Sequence, residues 1–303
     1  MSKRAAFIAI IGAPNAGKST LVNALVGAKV SIVTQKVQTT RARIRGILVE
    51  GGTQLVFTDT PGIFNPRRRL DRAMVAAAWE SLEGADAVVL VVDADAQLSG
   101  PSKSTADTAA IIEELKARGA KATLALNKID KVSRPDLLVL IASMSQHGVF
   151  SETFLIAAEN GDGVNDLRMH LLAQAKPGDW HYPEDQLSDV SDRLMAAEIT
   201  REKVFKRLHD ELPYESTVET TAWTRTKKRE LKVAQTIYVS REGHRPIVLG
   251  KGGQTLKAIG EAARTEMKDL FGETVHLFLT VTVREGWAEE KARYREMGLD
   301  IVD

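Results

Sequence analysis

The segment IGAPNAGKST, Ile11–Thr20, follows the apolar run Phe7–Ile11 and precedes the helical pattern Leu21, Leu25 and Val26. From Gly12 through Gly17 and Lys18 to Ser19 it fits G-x-x-x-x-G-K-[ST], the spacing of a phosphate-binding loop set between a strand and a helix. Such a loop, here Gly12, Ala13, Pro14, Asn15, Ala16 and Gly17 with Lys18, Ser19 and Thr20 opening the helix, presents backbone N–H groups and a helix N-terminus to phosphate oxygens. Lys3-Arg4 before AAFIAIIGA imitates the start of a secretory signal. Continuation into the phosphate loop reads instead as a buried first strand.

Outward from the loop, short β-rich runs alternate with longer amphipathic ones up to about residue 177, among them TQLVFTDT, DAVVLVVDA, ATLALNK and ETFLIAA. Alternation of this kind predicts a mostly parallel, doubly wound α/β sheet with ligands at the carboxyl ends of its strands. Gly51-Gly52 predicts one hairpin and an antiparallel edge. The proline- and acid-rich text KPGDWHYPEDQLSDVSD lacks an apolar period, and residues 178–190 are expected to be a linker. The expected division is therefore a nucleotide-binding domain over 1–177 and a second, smaller α+β domain over 191–303. No repeat period and no second phosphate loop is present.

Two later motifs narrow the nucleotide. In VFTDTPG, the residues Asp59, Thr60, Pro61 and Gly62 end an apolar strand. A carboxylate there can hold a magnesium-bound water, and Gly62 lets a backbone N–H approach a γ-phosphate. In LALNKID, the residues Asn127, Lys128 and Asp130 end another strand. A carboxylate at Asp130 can accept hydrogen bonds from N1–H and the exocyclic amine of guanine, whereas adenine would leave it unpaired, at about 1–3 kcal/mol. Guanine is the base expected.

Gly12–Ser19, Thr39–Thr40, Asp59–Gly62 and Asn127–Asp130 resemble, in order, the four leading motifs of translation-factor-class GTPases. The family's fifth motif would fall at Ala157, Ala158 and Glu159, with Ala in place of the usual Ser. The resemblance implies that Lys18 neutralises β- and γ-oxygens of GTP and that Ser19 ligates Mg²⁺, with Asp59 acting through water. It also implies that Ala158 offers its backbone N–H to guanine O6. Thr40 is the choice for the second hydroxyl ligand, with Thr39 left open. Ile63 stands where many signalling GTPases carry a water-orienting glutamine, so slow intrinsic hydrolysis is expected. The catalytic set is then Lys18, Thr40, Gly62 and Asn15. Asn15 is shared with members that recruit K⁺; a loop amide bonded to its own backbone is the other reading.

The 303 residues are 44% hydrophobic, with 41 basic against 40 acidic side chains, so net charge names no partner. The absence of cysteine excludes disulfides and thiolate chemistry and permits a reducing compartment. No apolar run spans a bilayer, and nothing in the sequence decides peripheral membrane association.

In the second domain, IVLGKGGQTLKAIG holds Gly250-Lys251-Gly252-Gly253 between two helical patterns. A G-x-x-G turn of this kind clamps a single-stranded nucleic-acid backbone. Nine basic residues between Arg225 and Lys257, including Arg241, Arg245 and Lys251, stand against Glu230 and Glu242, and read as positive charge around that turn. The order helix, strand, strand, helix, G-x-x-G, helix, strand resembles the type II KH fold.

With ELPYESTVE, IYVSREGHRPIVLGKGG and REGWAEEKARYREMGL, the whole chain resembles the bacterial Era-type GTPases of small ribosomal subunit assembly. That implies binding near the 3′ end of 16S rRNA on the 30S subunit, in the cytoplasm, through Gly250, Lys251, Gly252, Gly253, Arg245 and Lys257. A signalling or trafficking GTPase whose second domain binds protein is the alternative. A tRNA-modifying GTPase is disfavoured, because that family carries a C-terminal cysteine.

Overall fold

The run after Lys3 forms strand β1 (Arg4–Ile11), and its inner residues Ile8–Ile11 are fully excluded from solvent. A computed structural model of the protein describes residues 3–290, 294 and 297–300. The ends of the expected second domain at 291–293, 295–296 and 301–303 therefore lie outside the described residues. The described chain divides into two units. The first comprises residues up to Ser31, Thr40–Asp189 and the described part of Tyr294–Asp303; the second comprises Ile32–Thr39 and the described part of Val190–Arg293.

In the first unit, β1 leads through the phosphate loop into α1 (Lys18–Val26). Strands β2 (Ile44–Glu50) and β3 (Thr53–Asp59) form the hairpin at Gly51-Gly52, with Glu50 opposite Thr53. There follow α2 (Arg69–Glu80), β4 (Ala87–Asp93), the short α3 (Ala94–Leu98), α4 (Lys103–Ala117), β5 (Ala122–Asn127), α5 (Arg134–Ser145), β6 (Phe150–Leu155), α6 (Val164–Gln174) and the two-residue β7 (Lys176–Pro177). Helix starts follow their caps: Ser102 accepts from Thr105 N–H and Ser133 from Asp136 N–H.

The sheet runs β2-β3-β1-β4-β5-β6, with β7 also paired to β1. Only the β2–β3 and β1–β7 pairs are antiparallel. Apolar side chains pack on both faces of this sheet, as the continuous apolar runs of its inner strands require. Register fixes the functional edge. Ile10 lies opposite Asp59 and Asp93 opposite Asn127, so the ends of β1, β3, β4 and β5 arrive together.

Residues 178–189 lie along β2 and β3. Leu187 accepts from Ile47 N–H at 2.9 Å, and the buried Gln54 carboxamide exchanges hydrogen bonds with the His181 and Tyr182 backbone. An exposed strand edge carries unpaired donors, and this segment satisfies some of those on β2.

The second unit holds α7 (Asp192–Arg207), β8 (Ser216–Arg225), β9 (Leu231–Val239), α8 (His244–Leu249), a 3-10 turn (Lys251–Gly253), α9 (Gln254–Phe271) and β10 (Val275–Val283). Its sheet runs β10-β9-β8, with β9 and β10 parallel and β8 and β9 antiparallel. Alternating Leu231, Val233, Ile237 and Val239 are buried along β9, and apolar residues of α7, α8 and α9 join them in the core.

Candidate functional site

At the carboxyl end of the first unit's sheet the phosphate loop is shaped by two glycines. Gly12 has φ +153°, and a Cβ there would stand 2.4 Å from the Val91 carbonyl oxygen. Gly17, at φ +99°, would set a Cβ 2.1 Å from Asn127 Nδ2. Relieving either clash would displace β4 or the Asn127 side chain that frames the loop, so glycine is required at both places. Lys18 is buried, and its Nζ donates to Gly12 O at 3.1 Å and Ala13 O at 3.0 Å. Burial lowers its pKa to about 8, against the opposing charge of Asp59.

Three oxygen-bearing side chains converge beside it. Ser19 Oγ donates to Asp59 Oδ2 at 2.7 Å and lies 2.8 Å from Thr40 Oγ1, which is itself 3.5 Å from Asp59 Oδ2. Asp59 is fully buried, its Oδ1 has no hydrogen-bond partner among the described residues, and burial raises its pKa against the Ser19 hydrogen bond and the Lys18 charge. Two hydroxyls and an unsatisfied buried carboxylate oxygen are the donor set of a hard divalent cation, so these residues fit Mg²⁺. Thr39 does not join them. Its hydroxyl is 2.5 Å from Thr34 Oγ1 and donates to Lys36 O at 2.7 Å.

Thr60 and Gly62 hold the strand end against the loop. Thr60 Oγ1 donates to Ile10 O at 2.8 Å, and a Cβ on Gly62 would lie 2.8 Å from Pro14 Cα. Ile63 donates its N–H to Gly12 O at 3.1 Å, and its side chain belongs to the core beside Ile11 and Ala13. Asn15 occupies φ +62°, a conformation asparagine tolerates in tight loops.

The base-recognition motifs meet at the end of β5. Asn127 donates to Ala16 O at 2.8 Å and accepts from Ala158 N–H at 3.0 Å, tying three loops into one frame. Ala158 N–H, the donor expected for guanine O6, is thus bonded to the Asn127 carboxamide. Glu159, the next residue of the same exposed turn, makes no hydrogen bond among the described residues through its N–H. Lys128, at φ +64°, pairs with Asp93, whose other oxygen accepts from Ala96 N–H. Asp130 is exposed in a 3-10 turn.

In the second unit, Gly250 (φ +74°) packs so closely on α9 that a Cβ would lie 2.2 Å from Thr255 Oγ1. Gly252 and Gly253 also take positive φ but face open space, and Lys251, Gly252, Arg245 and Lys257 are exposed. Beside the turn runs a groove of about 400 Å³ between α9 and β10, floored by Leu256, Gly260, Leu277 and Leu279 and rimmed by Lys257, Glu261 and Arg264. The floor was not read from the sequence. Its signal is Leu256 and Gly260 four apart on a helix face, beside alternate residues of β10.

The nine basic residues do not form one patch. Lys227, Lys228 and Arg229 lie in the β8–β9 turn, and β9 runs nine residues from there toward the G-x-x-G end, roughly 30 Å at 3.4 Å per residue. Arg225 is further engaged by Glu273.

A family model described as 50S ribosome-binding GTPase matches residues 7–141, and one described as KH domain matches 211–288. GTPase Era of Caulobacter vibrioides (strain NA1000 / CB15N) is 56% identical over 305 residues, covering 98% of this chain and 96% of that protein. GTPase Era of Dinoroseobacter shibae is 55% identical over 300 residues, covering 99% and 96%. Among solved structures, Era in complex with MgGDPNP and nucleotides 1506–1542 of 16S ribosomal RNA superposes with a TM-score of 0.90 at 34% identity, covering 98% of this chain and 99% of that one. A point variant of Aquifex aeolicus Era bound to GDP.AlF4- gives a TM-score of 0.89 at 34% identity, covering 97% and 99%.

Proposed function

The chain belongs to the Era family of GTPases, and from that premise we propose that it is a GTP-switched factor of small-subunit assembly that binds single-stranded rRNA near the 3′ end of 16S through its KH unit. GTP orders the switch residues and favours the RNA-bound state; hydrolysis to GDP and phosphate permits release. Control of this kind requires different RNA affinities in the two nucleotide states.

For the GTP site the reading assigns backbone N–H groups from Gly12 to Thr20 to the phosphates and the Lys18 ammonium to the β- and γ-oxygens. Ser19 and Thr40 would ligate Mg²⁺, with Asp59 holding one of its waters, and the ion would neutralise phosphate charge that develops during hydrolysis. Gly62 approaches the γ-phosphate through its backbone. Asp130 reads the guanine edge on a frame held by Asn127, and Lys128 is fixed by Asp93. The N–H of Glu159 is the donor this loop retains for guanine O6. Asn15 is the residue assigned to K⁺. Ile63, packed in the core, does not orient water, so hydrolysis by the protein alone is slow.

The observation that carries the RNA reading is the groove beside Gly250–Gly253, apolar on its floor, with Lys257 and Arg264 on a rim that also carries Glu261. Bases can stack on such a floor while the glycines bring the sugar-phosphate backbone close. Crosslinking the protein to RNA in growing cells and sequencing what is attached tests it. Fragments of the 16S 3′ end are the expected recovery, whereas protein partners without RNA would favour the protein-binding alternative.

Among the described residues no helix is long and apolar enough to cross a membrane. A cytoplasmic location is proposed with the ribosomal role.

A further inference from the structure

Between α1 and β2 the chain has neither helix nor strand, so the backbone donors and acceptors of Ile32–Thr39 need partners from elsewhere. Two backbone groups and one side chain of this segment find partners on α7 or at its C-terminal cap. Val33 N–H donates to Glu202 Oε1 at 3.1 Å. Lys36 Nζ donates to Phe205 O at 2.5 Å and also to Leu208 O, carbonyls at the C-terminal end of α7 where the helix leaves acceptors unused. Arg201 donates through Nη2 to Thr39 O at 2.5 Å.

The groups making these bonds are set before they reach the segment. Arg201 is buried and held by Glu198 one turn earlier, with Nε donating at 2.7 Å. Glu202 is buried with Lys203 and Lys206 beside its carboxylate. Among the described residues Arg201 Nη1 has no hydrogen-bond partner. A buried guanidinium left partly unsatisfied is a poorer packing solution than an apolar side chain would be, so stability alone does not explain it.

We propose that Arg201 is a positioning residue for GTP hydrolysis, acting through the Thr39 carbonyl to hold the Thr40 hydroxyl beside Ser19 and Asp59. Thr39 O belongs to the peptide group joined to Thr40, so fixing that carbonyl fixes the backbone from which the Thr40 side chain leaves. Lys36 and Glu202 hold the same segment three and six residues upstream of Thr39. By linkage GTP, in ordering Thr40, favours the clamped segment. The inference rests on the assignment of Thr40 given above and deepens it.

The test compares Arg201→Met, Lys36→Met and Thr40→Val in the full chain, measuring steady-state GTP hydrolysis and calorimetric affinity for GDP and for a non-hydrolysable GTP analogue. All three are expected to lower kcat by about tenfold or more, while GDP affinity stays within about twofold of the parent's, because GDP does not use Thr40. Parental kcat in both clamp variants beside an impaired Thr40→Val overturns the clamp. So does an equal loss of GTP and GDP affinity in the clamp variants, which would make α7 a folding support alone. Unchanged kcat in Thr40→Val overturns instead the reading of Thr40. Should Arg201→Met fail to fold, Lys36→Met decides, since its side chain is only half-buried and methionine preserves the stem.

Discussion

Burial lowers the Lys18 pKa from 10.5 to about 8, with the Asp59 charge opposing the shift. Between those values the unfolded chain carries a proton that the fold has released, so stability rises with pH across that window. Below about pH 8 the fold holds a buried cation, at a cost of roughly 3 kcal/mol. Lys18→Met is expected to stabilise the nucleotide-free protein at pH 7 by roughly 1–3 kcal/mol, with the gain fading toward pH 10. Urea unfolding across that range checks it, and a pH-independent difference would contradict it. The same variant should lose tight GTP binding. Asp130→Asn should move preference from GTP to xanthosine triphosphate, because the carboxamide offers a donor to the 2-oxo group. Competition binding checks this, and retained GTP selectivity would contradict the assignment. At this scale the sequence showed which residue types cluster but not which atoms are already spent. Thr39 and Thr40 are indistinguishable in TTRAR. Only the bonds of Thr39 to Thr34 and Lys36 separate them. The bond from Ala158 N–H to Asn127 was equally invisible, because it depends on how two strand ends meet.

Elements explain why the motifs were easier to find than the charge distribution. The phosphate loop, the D-T-P-G turn and N-K-x-D each close a strand, and the period of an apolar strand is written in the sequence itself. The hairpin at Gly51-Gly52 was legible for the same reason, through glycines between two such runs. The basic run from Arg225 to Lys257 misled, because β9 intervenes and carries Lys227–Arg229 away from the G-x-x-G turn. The cations that line the groove are therefore Lys257 and Arg264, with Lys251 in the adjoining turn. Changing Lys251 and Gly252 together to Asp places two carboxylates where RNA phosphates are expected. Gly252 faces open space at φ +60°, a conformation Asp tolerates, so the fold should survive. Binding of a single-stranded rRNA oligonucleotide, followed by fluorescence anisotropy, should fall by about a hundredfold or more and show a shallower salt dependence. Circular dichroism and intrinsic hydrolysis should match the parent. Undiminished RNA binding by a folded double variant would remove this turn from the interface.

Across the whole molecule, composition located the change of rhythm near residues 178–190, but spatial grouping follows other rules. The segment Ile32–Thr39 sits in the middle of the nucleotide motifs in sequence and groups with the KH unit in space. Tyr294 and Leu299, near the C-terminus, are buried and group with the first unit, where Arg43 N–H donates to Met297 O at 3.1 Å. No linker signal could mark either crossing, because both are short irregular stretches whose partners are remote in sequence. The first of them matters for function, since it runs directly into Thr40, the residue assigned to the cation. Whether GTP governs RNA binding is measured most simply by the affinity of the full chain for single-stranded RNA copied from the 16S 3′ end. It is made once with a non-hydrolysable GTP analogue and once with GDP, both with Mg²⁺. The expected result is binding about tenfold or more tighter with the analogue, within the usual span of coupling between two sites. Equal affinity in the two states would contradict the account.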